Sequence, residues 1–200
     1  MAANQVVSVE YITKVATVTL DKAQKLNALS HDDYYRLALV LREIAQKDEL
    51  LATLLIGTGR FFSTLRMPSG ADIPRHCLPA LVVNNINLES GRCLPLASKI
   101  LVAALNGPVI GLSAALIAHP HLIFATPETY LLTPFSSLGI VTEGRSSIAF
   151  ASSMGLSKAK EALLFSRWIS IEELKQTGFV NQVFDTPGEG EIAGSGRDPP

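Results

Sequence analysis

The sequence has only two cysteines, Cys77 and Cys93, both in its most irregular stretch. They match no metal-ligand spacing and make no disulfide framework, so they read as free thiols in a reducing, intracellular compartment. Net charge is scarce too: 17 basic and 18 acidic residues leave -1, and no basic patch offers itself to a nucleic acid. A membrane span is excluded because the longest apolar stretch, Leu101 to Ala118, is broken by Asn106-Gly107-Pro108. Neither half reaches the ~20 residues that a spanning helix needs. The start, MAANQVVSVEY, lacks both the cationic-then-apolar pattern of an export leader and the arginine-rich pattern of a transit peptide. The four histidines, His31, His76, His119 and His121, form no evident triad, so a hydrolase reading based on Ser113 or Asp72 has no activating base.

What remains is a chain of 200 residues, 48% of them hydrophobic, with a mean hydropathy of +0.28. That is enough for one soluble domain with a substantial core, assigned here to residues 1–185. The ending from Thr186, TPGEGEIAGSGRDPP, holds too little apolar content to offset the entropy of ordering and reads as a disordered tail over 186–200.

Along the chain, Val6 to Leu20 alternates in polarity and reads as a hairpin turning at Ile12-Thr13-Lys14. Ser30 stands as an N-cap, with Asp32 and Asp33 in the first turn and an apolar stripe of Tyr34, Leu37, Val40, Leu41 and Ile44, predicting a helix to about Gln46. Leu50 to Gly57 reads as a strand, Thr58 to Pro79 as a long loop, and residues 80–98 as a short helix with an exposed loop. Two short strands, His121 to Ala125 and Thr129 to Leu132, precede a loop over Thr133 to Thr142. Helices follow over Ser146 to Met154, over Lys158 to Phe165 and after Ser170, with Glu172 and Glu173 in the first turn of the last. Phe179 to Phe184 reads as a final strand. Strand pairs alternate with helices about every 40 to 50 residues, which predicts stacked ββα turns rather than one open sheet.

The stretch LVAALNGPVIGLSAALIA, residues 101–118, reads as a buried strand, a tight turn and a buried helix. The first N–H groups of such a helix have no partner within it and can satisfy an oxygen carrying partial negative charge. Gly111-Leu112-Ser113-Ala114-Ala115 lacks the closing glycine of a nucleophile elbow, so Ser113 is expected to be a packed helix residue.

Taken together, Asn27-Ala28-Leu29, Gly59-Arg60-Phe61-Phe62-Ser63, Ser69-Gly70-Ala71-Asp72, Asn106-Gly107-Pro108 with Gly111-Leu112-Ser113, and Leu138-Gly139 resemble the enoyl-CoA hydratase/isomerase (crotonase) family, in the right order. The resemblance covers roughly Val6 to Phe184, and LLTPFSSLGIVTEG, residues 131–144, looks most like the fungal peroxisomal Δ3,Δ2-enoyl-CoA isomerases. It implies an α/β fold, a crotonase-like spiral of ββα turns, here with the family's C-terminal helical segment missing. It also implies an acyl-CoA thioester whose oxygen is gripped by the Ala71 and Leu112 amides, with Lys25, Ala28, Gly70, Asp72, Ile73, Gly111, Phe135 and Leu138 along the substrate.

Hydratases of this family use two glutamates, and those positions here hold Ala115 and Phe135. The isomerases resembled carry instead one glutamate shortly after the Leu-Gly pair, where Glu143 stands. The resemblance therefore implies a 1,3-proton shift converting 3-enoyl-CoA to 2-trans-enoyl-CoA in unsaturated fatty acid β-oxidation. Glu143 is then the acid/base and no metal or further cofactor is required, coenzyme A being part of the substrate. Judged by composition alone, Glu143 would instead be a solvated loop carboxylate beside Arg145.

A homo-oligomer, trimer or hexamer, and a peroxisomal location are implied by the same resemblance. The ending Arg197-Asp198-Pro199-Pro200 carries no peroxisomal targeting signal, which leaves the cytoplasm as the other location. Two further departures from the family pattern are five extra residues, Thr64-Leu65-Arg66-Met67-Pro68, before Ser69, and Pro120-His121 in place of Cys-Asp. The extra segment and the missing C-terminal helical segment motivate a rival reading, a catalytically impaired member that binds acyl-CoA or serves oligomer assembly. An enoyl-CoA hydratase is the other alternative.

Overall fold

The computed structural model describes residues 6–64 and 99–185. The hairpin forms as expected, with β1 (Val7–Ile12) antiparallel to β2 (Val15–Leu20) and Thr13 at a φ of 53° in the turn. On β2 the residues Ala16, Val18 and Leu20 are buried, the period-2 signature of a strand with one face on a core. From β2 onward the sheet is parallel: β3 (Ala52–Gly57), β4 (Ile100–Leu105), β6 (Leu122–Ala125) and β8 (Gln182–Val183) add in turn, giving the order β1-β2-β3-β4-β6-β8. A second, two-stranded sheet pairs β5 (Val109–Ile110) with β7 (Leu131–Leu132), and Ser63 bridges to Val109 at its edge.

Each winding of the chain thus gives one strand to the large sheet and then one to the small layer: β3 then Ser63, β4 then β5, β6 then β7. This is the expected stack of ββα turns. Parallel neighbours need a crossover between them, and the small layer and the helices supply it.

Helix α1 (His31–Ala45) starts with a capping box: the Ser30 hydroxyl accepts the Asp33 N–H, and the Asp33 carboxylate accepts the Ser30 N–H. Its stripe buries Leu37, Val40, Leu41 and Ile44, each contributing about 1.5–3 kcal/mol relative to exposure. Among the described residues the remaining helices are α2 (Leu112–Leu116), α3 (Ser146–Met154), α4 (Leu156–Leu164) and α5 (Ile171–Gln176). As expected, α5 carries a capping box built from Ser170 and Glu173. The Phe150 and Phe179 rings meet edge-on at 5.8 Å, tying α3 to the segment after α5.

Several boundaries differ from expectation. Val109–Ile110 is a strand of the small layer, and the helix after Gly111 ends at Leu116 instead of running to Ala118. Its last bonds, Ala118 N–H to Ala115 O and His119 N–H to Leu116 O, are those of a tightening turn, and Pro120 bars continuation. Helix α4 begins at Leu156, directly after Gly155, rather than at Lys158. The last strand is only Gln182–Val183, because it meets β6 over just two residue pairs. The expected helix and loop over 80–98, both cysteines and the tail over 186–200 lie outside the described residues.

Gly107 is a tight point of the fold. A Cβ there would stand 2.0 Å from the Arg60 carbonyl oxygen and 2.9 Å from its carbon, both backbone atoms that cannot rotate away. Gly107→Ala should therefore lower the unfolding free energy by about 2–3 kcal/mol or more, readable as a reduced urea midpoint. A midpoint equal to that of the unaltered protein would show that the turn at Arg60 yields freely.

Candidate active site

The loop after β3 is held by two asparagine side chains rather than by strand pairing. Asn27 Nδ2 donates to the Thr58 and Phe61 carbonyls, both at 2.8 Å, while its Oδ1 accepts the Lys22 N–H. Asn106 mirrors it, donating to the Gly59 and Phe61 carbonyls and accepting the Gly57 N–H. Asn27 is fully buried, so each of these bonds also removes a desolvation penalty of about 1–3 kcal/mol per group. The loop so held delivers Phe62 and Ser63, both at 0% exposure, to the edge of the small sheet.

Gly111, at a φ of 75°, opens α2 and lets the chain turn from β5 into the helix. The first bonds within the helix run from the Ala114 and Ala115 N–H groups to Gly111 O, so the helix supplies no partner for the Leu112 N–H. Ser113 is buried, as expected of a packed helix residue. Its hydroxyl lies 2.8 Å from the Tyr34 hydroxyl and 2.7 Å from that of Ser63, and Ser63 donates to Asn27 O at 2.8 Å. His121 Nδ1 accepts the Leu101 N–H, and His119 Nε2 faces Gly144 O at 2.9 Å.

Glu143 lies half-buried on the loop before α3, held there by a bond from the Ser146 N–H to Glu143 O. Its charge reaches Tyr34. Burial pushes the Tyr34 phenol up to about 12; a Ser113 hydroxyl turned to donate to the ionised phenolate would work against this, and the charges of Glu143 and Asp33 add to it. The phenol therefore keeps its proton at physiological pH. Asp33 is held below the usual carboxylate range: burial works to raise it, but hydrogen bonds from Ser30 and Lys22 outweigh that effect.

Next to Glu143, Gly144 at a φ of 62° packs onto α2. A Cβ there would stand 3.0 Å from Ala115 Cβ and 3.3 Å from Leu112 Cδ1. Leu112, Ala115 and the Glu143-Gly144 loop thus meet at the opening turn of α2, braced by His119.

The other expected site residues are scattered in exposure. Ala28 and Phe135 are buried, whereas Leu138 is 40% exposed and Lys25 lies exposed on a short 3₁₀ turn, Ala23–Lys25. Gly70, Ala71, Asp72 and Ile73 lie outside the described residues, as do Leu65 to Pro68 of the extra segment. Among the described residues no cluster of three or more His, Cys, Asp or Glu could hold a metal ion, and no helix is long and apolar enough to cross a membrane.

Sequence reasoning placed Tyr34 only in an apolar stripe and missed its hydroxyl contact. The signal was available, since a buried tyrosine hydroxyl needs a partner. His119 carried no comparable signal, because its partner is a backbone carbonyl 25 residues away.

The enoyl-CoA hydratase/isomerase family model matches residues 10–188. The chain belongs to this family. It is 47% identical over 194 residues to a Pyricularia oryzae protein named Delta(3,5)-Delta(2,4)-dienoyl-CoA isomerase, covering 90% of this chain and 69% of that one. It is 28% identical to the Saccharomyces cerevisiae 3,2-trans-enoyl-CoA isomerase, covering 85% of this chain and 65% of the relative. It is 32% identical to the human Enoyl-CoA delta isomerase 2, covering 90% and 45%. The chain thus spans about half to two thirds of the length of these relatives. A Mycobacterium abscessus crystal structure described as a putative enoyl-CoA hydratase/isomerase superposes with a TM-score of 0.81 at 22% identity, covering 90% of this chain and 70% of that one, which shows the shared fold. The crotonase-like spiral expected from the motifs is therefore the fold of this chain.

Ala115, expected from the motifs to stand where hydratases carry glutamate, is closed off here at 0% exposure. Ala115→Glu should force a carboxylate against Gly144 and cost about 2–4 kcal/mol in stability, seen as a lower thermal midpoint. An unshifted midpoint would mean that the Gly144 loop swings aside easily.

Proposed function

We propose that the protein isomerises 3-enoyl-CoA to 2-trans-enoyl-CoA by a proton shift on one carboxylate. Glu143 takes a proton from C2, the electron pair of that C–H bond delocalises into the thioester, and the Leu112 and Ala71 amides hold the enolate oxygen. The same carboxyl group then returns the proton at C4, so the double bond moves from C3–C4 to C2–C3 with atoms and charge balanced. The observation that carries the reading is the placement of Glu143 beside the opening turn of α2, with Ala115 and Phe135 buried at positions that would otherwise hold acids. Water addition needs two acid/base groups, and this arrangement supports one.

A second reading, isomerisation of 3,5-dienoyl-CoA to 2,4-dienoyl-CoA, is favoured by the 47% identity to the Pyricularia protein of that name. There the proton leaves C2 and returns at C6, which asks for a longer reach than one carboxyl group gives. Either reaction would belong to β-oxidation of unsaturated acyl chains. A mouse relative, 31% identical and named Enoyl-CoA delta isomerase 3, peroxisomal, supports the peroxisome as the compartment.

Incubating the purified protein with 3-enoyl-CoA and with 3,5-dienoyl-CoA, and following the conjugated products by absorbance, separates the two readings. Turnover of the first substrate is expected to exceed that of the second, and hydration of 2-enoyl-CoA to be negligible beside both. Glu143→Gln should lower isomerisation by about 10²–10⁴-fold with the fold intact. Preference for the dienoyl substrate would install the second reading, and full activity in Glu143→Gln would remove this residue from the chemistry.

A further inference from the structure

We propose that the Tyr34, Ser113 and Ser63 hydroxyls form a one-way hydrogen-bond chain that aims the Gly111-Leu112 turn at the substrate thioester, with Tyr34 as a positioning residue. The inference rests on the reading of Leu112 as an amide donor to the thioester oxygen.

The direction of the chain follows from counting protons. Each hydroxyl has one proton to give. Ser63 gives its own to Asn27 O, which can only accept, so between the two serines Ser63 is the acceptor and Ser113 the donor. Ser113 has then spent its proton and must accept from Tyr34. The order is Tyr34 to Ser113 to Ser63 to the Asn27 carbonyl. The Tyr34 proton is thereby committed, which excludes the phenol as a proton donor to substrate or to Glu143. Its role is mechanical.

The turn needs such a device. α2 is five residues long and cannot hold its own conformation, since an isolated helix of that length does not persist in water. Ser113 directly follows Leu112, so its tether sets the orientation of the Leu112 peptide. The chain fixes Ser113 from two sides, through α1 at Tyr34 and through the loop after β3 at Ser63. It ends on Asn27, whose side chain already grips that loop. With Ser63 at 0% and Ser113 at 1% exposure, solvent has little access to replace a lost partner.

The test uses full-length protein carrying Glu143→Gln, so that nothing turns over, and 2,4-hexadienoyl-CoA as the probe. Amide donation to its thioester oxygen polarises the conjugated system and moves its absorbance to longer wavelength. In the Glu143→Gln protein a clear red shift is expected. Adding Tyr34→Phe or Ser113→Ala should reduce that shift by at least about half while the probe's Kd changes less than about threefold, because contacts elsewhere on the acyl-CoA are untouched. Ser113→Thr, which keeps the hydroxyl, should retain the shift, and Tyr34→Phe with Ser113→Ala together should be no worse than either alone. In protein with Glu143 intact, Tyr34→Phe should lower kcat about tenfold or more, with KM within about threefold. A full red shift in both Tyr34→Phe and Ser113→Ala, even with lowered thermal midpoints, would make the chain mere packing and overturn the inference. Absence of any red shift before those changes would overturn the oxyanion reading of Leu112, and this inference with it.

Discussion

The site depends on the grip of Asn27 and Asn106 on the loop after β3. That loop leaves a parallel sheet and must cross to the small layer within a few residues, so its carbonyls cannot all be paired by a neighbouring strand. Two amide side chains supply the missing partners, both donating to the Phe61 carbonyl. Gly57 and Gly107 leave the space this requires: a Cβ on Gly57 would stand 2.9 Å from the Asn106 side-chain oxygen and 3.0 Å from the Asn27 side-chain nitrogen. Ser63, the small-sheet edge and the buried hydroxyls all follow from where this loop is held.

The second constraint is the close approach of Gly144 to α2. A glycine with positive φ lets the loop carrying Glu143 lie directly on Ala115, while His119 meets the Gly144 carbonyl from the turn that follows the same helix. The small side chain at Ala115 and the glycine at 144 are therefore one packing decision. It brings one carboxylate near the α2 turn and leaves no volume for a second from the helix, so on the proposed reading the choice between moving a proton and adding water is steric as well as chemical.

Helix α1 connects these two constraints. Its start is fixed locally by the Ser30 and Asp33 capping box and by the Lys22–Asp33 ion pair at 2.9 Å, and its stripe is fixed by the core. That leaves Tyr34, one turn in, at a defined depth where its hydroxyl meets Ser113. An element that reads as ordinary scaffold thus places a polar group beside the candidate site.

Much of this was legible in the sequence because it is encoded at short range. The hairpin at Thr13, both capping boxes, the α1 stripe and the strands β3, β4 and β6 arise from periodicity and caps acting over a few residues, and the ordered series of short motifs identified the spiral. The boundaries that failed, at Val109, Leu116, Leu156 and Phe179, are those where strand pairing, a following proline or a preceding glycine decides where an element starts or stops. Asn27, Asn106 and Glu143 were visible as motif positions, but what they hold was not. The carbonyls that the Asn27 side chain donates to lie 31 and 34 residues away, and the hydroxyl partners of Ser113 lie 50 and 79 residues away. The sequence by itself determined which segments are strands and helices, and which residue types are available for the chemistry. Only the tertiary structure decided that Tyr34, Ser63 and Ser113 share one buried chain and that Gly144 closes over Ala115, because hydrogen bonds and close packing depend on distances that local preference does not encode.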